Sequence, residues 1–122
     1  MGRRVLLIED EPHIAEAIRY ILARDGWAVA SHAEGDGALE VIRREAPDVV
    51  VLDLLLPGRS GHDILEDLRA DPALAGLPVL VISARGPGEA QAAAAGAAPA
   101  RFIAKPFANA DILAALRQMA GA

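Results

Sequence analysis

Three runs of consecutive apolar residues, Val5–Ile8, Val49–Leu52 and Val79–Ile82, constrain this chain more than any other feature. None alternates apolar with polar residues. Each therefore needs apolar surroundings on both faces, the condition of a strand in a parallel sheet covered on both sides by helices. Trp27–Ala30 and Arg101–Ala104 are weaker strand candidates. Helical spacings fill the gaps: Ile14, Ile18, Ile21 and Leu22; Leu39 and Ile42; Ile64, Leu65 and Leu68; an alanine-rich stretch; and Ile112, Leu116 and Met119. Asp25-Gly26, Pro47, Asp71-Pro72 and Gly96 supply the stops. The pattern predicts strands near 4–8, 27–31, 48–52, 78–82 and 101–104, and helices near 12–25, 36–45, 61–70, 88–95 and 108–120. Strand and helix alternate throughout, which points to a doubly wound α/β sheet with helices on both faces.

The chain's 122 residues suit a single domain spanning 1–122, and a hydrophobic fraction of 53% excludes disorder. A net charge of −5 argues against direct nucleic-acid binding. With no cysteine, disulfides, thiolate chemistry and cysteine-based metal sites are ruled out. Arg3-Arg4 precede four apolar residues, but Glu9-Asp10-Glu11 follow at once, so no secretory leader is expected. No apolar run reaches membrane-spanning length, and a cytoplasmic location is the expectation.

The chemistry gathers where the strands end. Asp53 closes the run Val49–Leu52 just before Leu54-Leu55-Leu56-Pro57-Gly58. A bare carboxylate beside a buried strand needs a cation, hydrogen bonds or a reaction to perform. In an open parallel sheet, the carboxyl ends of the strands are where ligands bind. The first strand ends in Glu9-Asp10-Glu11-Pro12, so its acids would converge with Asp53 on one rim. Clustered carboxylates repel unless a cation intervenes, and oxygen-only donors suit Mg²⁺. Glu9 and Asp10 could equally cap the first helix, with Pro12 in its opening turn. The fourth strand delivers Ser83 and the fifth delivers Lys105 to the same rim. Taken singly, Ser83 reads as a turn residue and Lys105 as a solvated charge. Carboxylates, hydroxyl and amine at four of five strand ends are hard to obtain from turn preference alone.

Val5-Leu-Leu-Ile-Glu-Asp-Glu-Pro12, Val49-Val-Val-Leu-Asp-Leu-Leu-Leu-Pro57, Gly61, Ser83-Ala84 and Phe102-Ile-Ala-Lys-Pro-Phe107 follow one another in a fixed order. Intervals of 43 residues from Asp10 to Asp53, 30 to Ser83 and 22 to Lys105 separate their key members. In that order and spacing the chain resembles the receiver domains of bacterial two-component response regulators, including the chemotaxis regulators, over essentially its whole length. The resemblance implies a flavodoxin-like five-stranded sheet in the order 2-1-3-4-5. It implies that Asp53 is the phosphoacceptor and that Asp10, Asp53 and the backbone carbonyl of Leu55 bind Mg²⁺, with Glu9 acting through a water. Lys105 would contact the phosphoryl oxygens, Ser83 would hydrogen-bond the phosphoryl group, and Phe102 would turn inward as the aromatic switch. The Lys105–Pro106 bond would be cis. The implied partners are a sensor histidine kinase or phosphotransfer protein, and a downstream protein or an effector domain on a longer chain. The implied assembly is a monomer or a weak phosphorylation-linked dimer. Such a protein is a switch rather than an enzyme, catalysing only its own phosphorylation and slow dephosphorylation.

Departures from the family pattern carry their own expectations. Gly86-Pro87-Gly88 and Ala97-Ala98-Pro99-Ala100 bracket a short, mobile helix with only small outward side chains. Phe102 stands where Tyr is frequent, and apolar Leu55, flanking the water route with Arg85, cannot orient an attacking water. Slow loss of the phosphoryl group follows. Rival readings fit less well. A haloacid-dehalogenase-type phosphatase needs a second Asp where Leu55 stands. A flavodoxin-like cofactor binder needs a phosphate loop where Glu9-Asp10-Glu11 would repel phosphate. A pseudo-receiver, an interaction module that is never phosphorylated, would not need the intact acids, Ser83 and Lys105.

Overall fold

The computed structural model describes residues 3–83, 100–105 and 107–119. The helix expected near 88–95, Arg85 and the Lys105–Pro106 bond lie outside them. The described elements run β1 (Arg4–Ile8), α1 (Pro12–Arg24), β2 (Ala28–His32), α2 (Ala38–Glu45), β3 (Val49–Asp53), α3 (Gly61–Ala70), β4 (Val79–Ser83), β5 (Ala100–Ala104) and α4 (Asn109–Met119). All neighbouring strands pair in parallel, in the order β2-β1-β3-β4-β5. The parallel sheet is the one expected from the continuous apolar runs, and its strand order is the one the resemblance implies. Among the described residues, no helix is long and apolar enough to cross a membrane.

Side chains alternate between the two faces, and both faces are dry. Leu6, Ile8, Val50, Leu52, Val79 and Val81 pack against Ala38, Val41 and Ile42 of α2 and Ile64, Leu65 and Leu68 of α3. On the other face Val5, Leu7, Val49, Val51, Leu80 and Ile82 meet Ile18 and Leu22 of α1, Trp27, and Ile112 and Leu116 of α4. Along these runs the inner strands are buried on both sides, which is why the runs show no period-two pattern.

α2 begins at Ala38 rather than near residue 36, behind Gly37 at a φ of 75°, and three further details differ from expectation. β2 begins at Ala28 rather than Trp27. Trp27 sits in the turn before it, its amide on Leu22 O at 3.0 Å and its ring buried. β3 and β4 each extend one residue further, through Asp53 and Ser83, because the ladder continues where the apolar run has stopped. Finally, α1 is capped by neither Glu9 nor Asp10. The Glu11 carboxylate accepts from the His13 amide at 3.1 Å, with Pro12 opening the helix.

Two helix-end aspartates tie distant segments together. Asp25 at the end of α1 is gripped by Arg117 of α4, whose Nε lies at 3.2 Å, and also meets Trp27 Nε1 at 3.2 Å. Asp71 at the end of α3 holds Arg43 of α2 at 2.7 Å. Arg117 and Arg43, respectively, hold these two carboxyls below the ordinary value near 3.8. A depressed folded pKa stabilises the fold above the unfolded value and ceases to do so as pH falls through the folded one. The melting temperature should therefore drop below about pH 4. Asp25→Asn should start lower at pH 7 and lose less on acidification, as scanning calorimetry at pH 7 and pH 3 would read. An equal acid-induced drop in both proteins would contradict this.

Candidate functional site

The site grows out of the carboxyl ends of β1, β3, β4 and β5. Parallel register sets Ile8 beside Leu52, Asp53 beside Ile82 and Ser83 beside Ala104. Two backbone hydrogen bonds continue the ladder beyond the strands: Leu54 N to Ile82 O at 3.1 Å and Lys105 N to Ser83 O at 2.8 Å. The side chains that follow each strand are thus delivered to one rim by the sheet itself.

Asp53, Glu9 and Ser83 are the buried polar side chains among the described residues, at 2%, 3% and 0% exposure. Asp10 beside them is exposed. A carboxylate oxygen from each of Glu9, Asp10 and Asp53 lies within 4.8 Å of the others. Lys105 Nζ reaches into this cluster, 3.1 Å from Asp53 Oδ2 and 3.0 Å from Glu9 Oε1. The Leu55 amide donates to Asp53 Oδ1 at 3.0 Å, and the Glu11 amide donates to Glu9 Oε2 at 3.0 Å. The contact of Lys105 with Glu9 is ionic rather than an aligned hydrogen bond, for Glu9 Oε1 is buried with no aligned donor. Burial pushes the Glu9 carboxyl up, and the Asp53 charge adds to that, against the Glu11 amide and Lys105. Burial pulls the Lys105 ammonium down, but the carboxylates of Glu9 and Asp53 outweigh it and the net direction is up.

The donor set is hard oxygen throughout, partly desolvated, with one buried oxygen short of an aligned partner. That chemistry fits a small hard divalent cation such as Mg²⁺ better than a softer metal.

The loop carrying Leu55 is packed from two sides. Gly61, the first residue of α3, presses on it so closely that a Cβ would lie 2.6 Å from Asp53 O and 2.6 Å from Leu54 Cα. Gly35 N donates to Pro57 O at 3.1 Å, and a Cβ on Gly35 would strike the Arg59 carbonyl. Leu55 itself is 42% exposed at the rim. Phe102 on β5 is half-buried and packs against the core face shared with α2 and α3, next to Val81 in register. Of the residues singled out from sequence, the structure brings Glu9, Asp10, Asp53 and Lys105 together. Ser83 ends the strand beside Asp53, and Phe102 lies on β5 two residues before Ala104, the register partner of Ser83, half-buried against the core. Glu11, as helix cap and as donor to Glu9, was missed. So was the direct contact between Glu9 and Lys105, which no local pattern encodes.

Residues 5–117 match the family described as response regulator receiver domain. KdpE of Mycobacterium tuberculosis, a transcriptional regulatory protein, is 41% identical over 113 residues, covering 93% of this chain and 49% of KdpE. The BeF3-activated N-terminal receiver domain of Klebsiella pneumoniae RstA superposes with a TM-score of 0.85 at 30% identity, covering 96% of this chain and 97% of that one. The receiver domain of the Pseudomonas aeruginosa sensor histidine kinase PA1611, with a magnesium ion coordinated in its active site cleft, gives a TM-score of 0.87 at 25% identity over 100% of both chains. The chain spans about half the length of the curated relatives it matches. A family match of this extent, on a sheet in this order with acids and a lysine converging at its strand ends, leaves one assignment: the chain belongs to the receiver domains of two-component response regulators.

Proposed function

We propose that this receiver works as a phosphorylation switch in which Asp53 accepts a phosphoryl group from a sensor histidine kinase or a phosphotransfer protein. The observation that carries the reading is the buried Asp53 carboxylate held by Lys105 beside Glu9 and Asp10. In the transfer, an Asp53 oxygen forms a bond to phosphorus as the donor's bond to phosphorus breaks, leaving an acyl phosphate. Asp10 and Asp53, with the Leu55 carbonyl, would hold Mg²⁺, and Glu9 would act through a water. The magnesium ion in the PA1611 receiver supports this choice of metal. When bound, Mg²⁺ supplies positive charge that offsets the repulsion between the carboxylates and an incoming phosphoryl group. Phosphoryl transfer depends on charge neutralisation and in-line placement more than on covalent help. The Leu55 amide orients Asp53 by fixing Oδ1. Lys105 contributes a cation that would contact phosphoryl oxygens. Ser83 would hydrogen-bond the phosphoryl group, and Phe102 would turn inward to alter a partner-binding face. The added charge, about −1.5 to −2 before the acyl linkage is counted, is large enough to bias such a two-state element. The output, through a downstream protein or an effector domain, belongs to the same proposal.

The test is intact mass after incubation with Mg²⁺ and acetyl phosphate. One phosphoryl group is expected on the wild type and none on Asp53→Asn. No adduct on the wild type, or an equal adduct on the variant, would refute the reading and favour a phosphorylation-independent interaction module. The same sample reports persistence. Leu55 offers no polar group to orient a water, so the adduct should outlast minutes at neutral pH; a half-life of seconds contradicts this.

A further inference from the structure

Residues 54–60 join β3 to α3, and Leu55 among them supplies the amide that fixes Asp53 Oδ1 at 3.0 Å. The segment is anchored by groups outside the acid cluster. Gly35, in the turn between β2 and α2, donates its amide to Pro57 O at 3.1 Å, two residues beyond Leu55. It is buried, and a Cβ on it would strike the Arg59 carbonyl and lie 2.9 Å from Arg59 Cα. The contact is reciprocal: Gly58 turns at a φ of 76°, and a Cβ there would meet the Asp36 carboxylate. The turn that brings Gly35 in is itself fixed. His32 Nε2 donates to Asp36 O at 2.7 Å, and the Ala38 amide donates to Gly35 O at 3.2 Å. On the α3 side, Arg59 forks onto Asp67, Nε to Oδ2 at 2.7 Å and Nη2 to Oδ1 at 2.8 Å. Two parallel bonds to one carboxylate fix direction as well as distance.

We propose that Gly35 and Arg59 are positioning residues: they clamp the 54–60 segment between the turn after β2 and α3, and so place Leu55 against Asp53 and toward the metal. The inference rests on the reading of Asp53 and its neighbours as a Mg²⁺-dependent phosphoacceptor site with the Leu55 carbonyl as a ligand. Neither residue supplies a ligand of its own. Gly35 has no side chain, and the Arg59 guanidinium is committed to Asp67. Only Leu56 separates Leu55 from Pro57, and it is half-buried against the core, so little slack is left to absorb a displacement at Pro57. A backbone shift there turns the Leu55 carbonyl and loosens the Leu55 amide. Groups that orient a metal ligand are worth about ten- to a hundredfold in affinity. The turn after β2 thereby sets metal affinity without touching the metal.

The test measures Mg²⁺ affinity by titration calorimetry on the full chain, together with hydrogen exchange of the Leu55 and Val51 amides by NMR in metal-free protein. Gly35→Ala forces the Arg59 backbone away and should weaken Mg²⁺ binding about tenfold. Arg59→Lys keeps the charge but loses the fork, and should weaken it about threefold. An exposed ion pair adds little to global stability. In Arg59→Lys the Leu55 amide should therefore exchange about threefold faster while Val51, inside the sheet, keeps its rate. Gly76→Ala, where a Cβ meets nothing within 4 Å, should match the wild type in both readings. Affinity within about twofold of the wild type in folded Gly35→Ala overturns the proposal. So does a Leu55 amide as protected in Arg59→Lys as in the wild type. If Gly35→Ala does not fold, Arg59→Lys decides alone. No Mg²⁺ binding to the wild type overturns the metal reading, and the Leu55 exchange rate still judges the clamp.

Discussion

Leu52→Ala is expected to lower the unfolding free energy by about 2–5 kcal/mol, measured by urea denaturation at neutral pH. Leu52 is fully buried in the third strand, in register with Ile8 and Val81, and packs in the cluster closed by α2 and α3. Truncation removes three carbons and leaves a cavity that strands fixed on both sides cannot close. Close packing makes the residual void as costly as the lost transfer energy. Against a total stability of about 5–15 kcal/mol, a single such change removes a large share of the fold's margin. Leu55→Ala, three positions later and 42% exposed, provides the internal comparison and should change stability by less than about 0.5 kcal/mol. A loss below about 1 kcal/mol for Leu52→Ala would mean that this face is not packed as described.

The contrast between Leu52 and Leu55 also marks how far the sequence could be read. The apolar runs made the sheet legible, since continuous burial on two faces leaves few alternatives to a helix-covered parallel sheet. They could not mark strand ends, because hydrogen-bond ladders ignore side-chain polarity: Asp53 pairs in register with Ile82 and Ser83 with Ala104. Trp27 suggested a strand through its ring, yet it serves as the buried end of a turn, its indole N–H on Asp25. In α2, Leu39 was read as core, whereas Ala38, Val41 and Ile42 carry the burial and Leu39 packs at the margin. At the site, residue types were legible from strand-end position and spacing. Pairings were not. Glu9 follows β1 and Lys105 follows β5, with β3 and β4 between them, so their contact depends on side-chain length across the rim. The cap of α1 was assigned to Glu9 or Asp10, although Pro12 at the first helical position makes Glu11 the residue before it, and it is the Glu11 carboxylate that takes the His13 amide.

Gly61→Ala is expected to destabilise the protein by about 1–3 kcal/mol or more and to reduce the phosphorylation proposed for Asp53 in the fraction that remains folded. Helix propensity predicts the opposite, since alanine is better than glycine within a helix by about 1 kcal/mol. Contact decides the sign. Gly61 opens α3 behind the Ser60 cap, and its amide donates to Leu54 O at 3.1 Å. A Cβ there would lie 2.6 Å from Asp53 O and 2.6 Å from Leu54 Cα, both backbone atoms that cannot swing aside. Either α3 backs away or the end of β3 shifts. Both movements disturb the carboxylate that Leu55 and Lys105 hold, and positioning errors of this kind are costly in phosphoryl transfer. Gly76→Ala separates this effect from the general consequences of losing a glycine. A Cβ at Gly76 meets nothing within 4 Å, and restricting the unfolded chain should make that variant neutral or more stable by up to about 1 kcal/mol. Thermal melts and acetyl phosphate labelling on both variants give the comparison. If Gly61→Ala is as stable as Gly76→Ala and is phosphorylated at the wild-type rate, the close approach of α3 to the Asp53 backbone does not position the proposed phosphoacceptor.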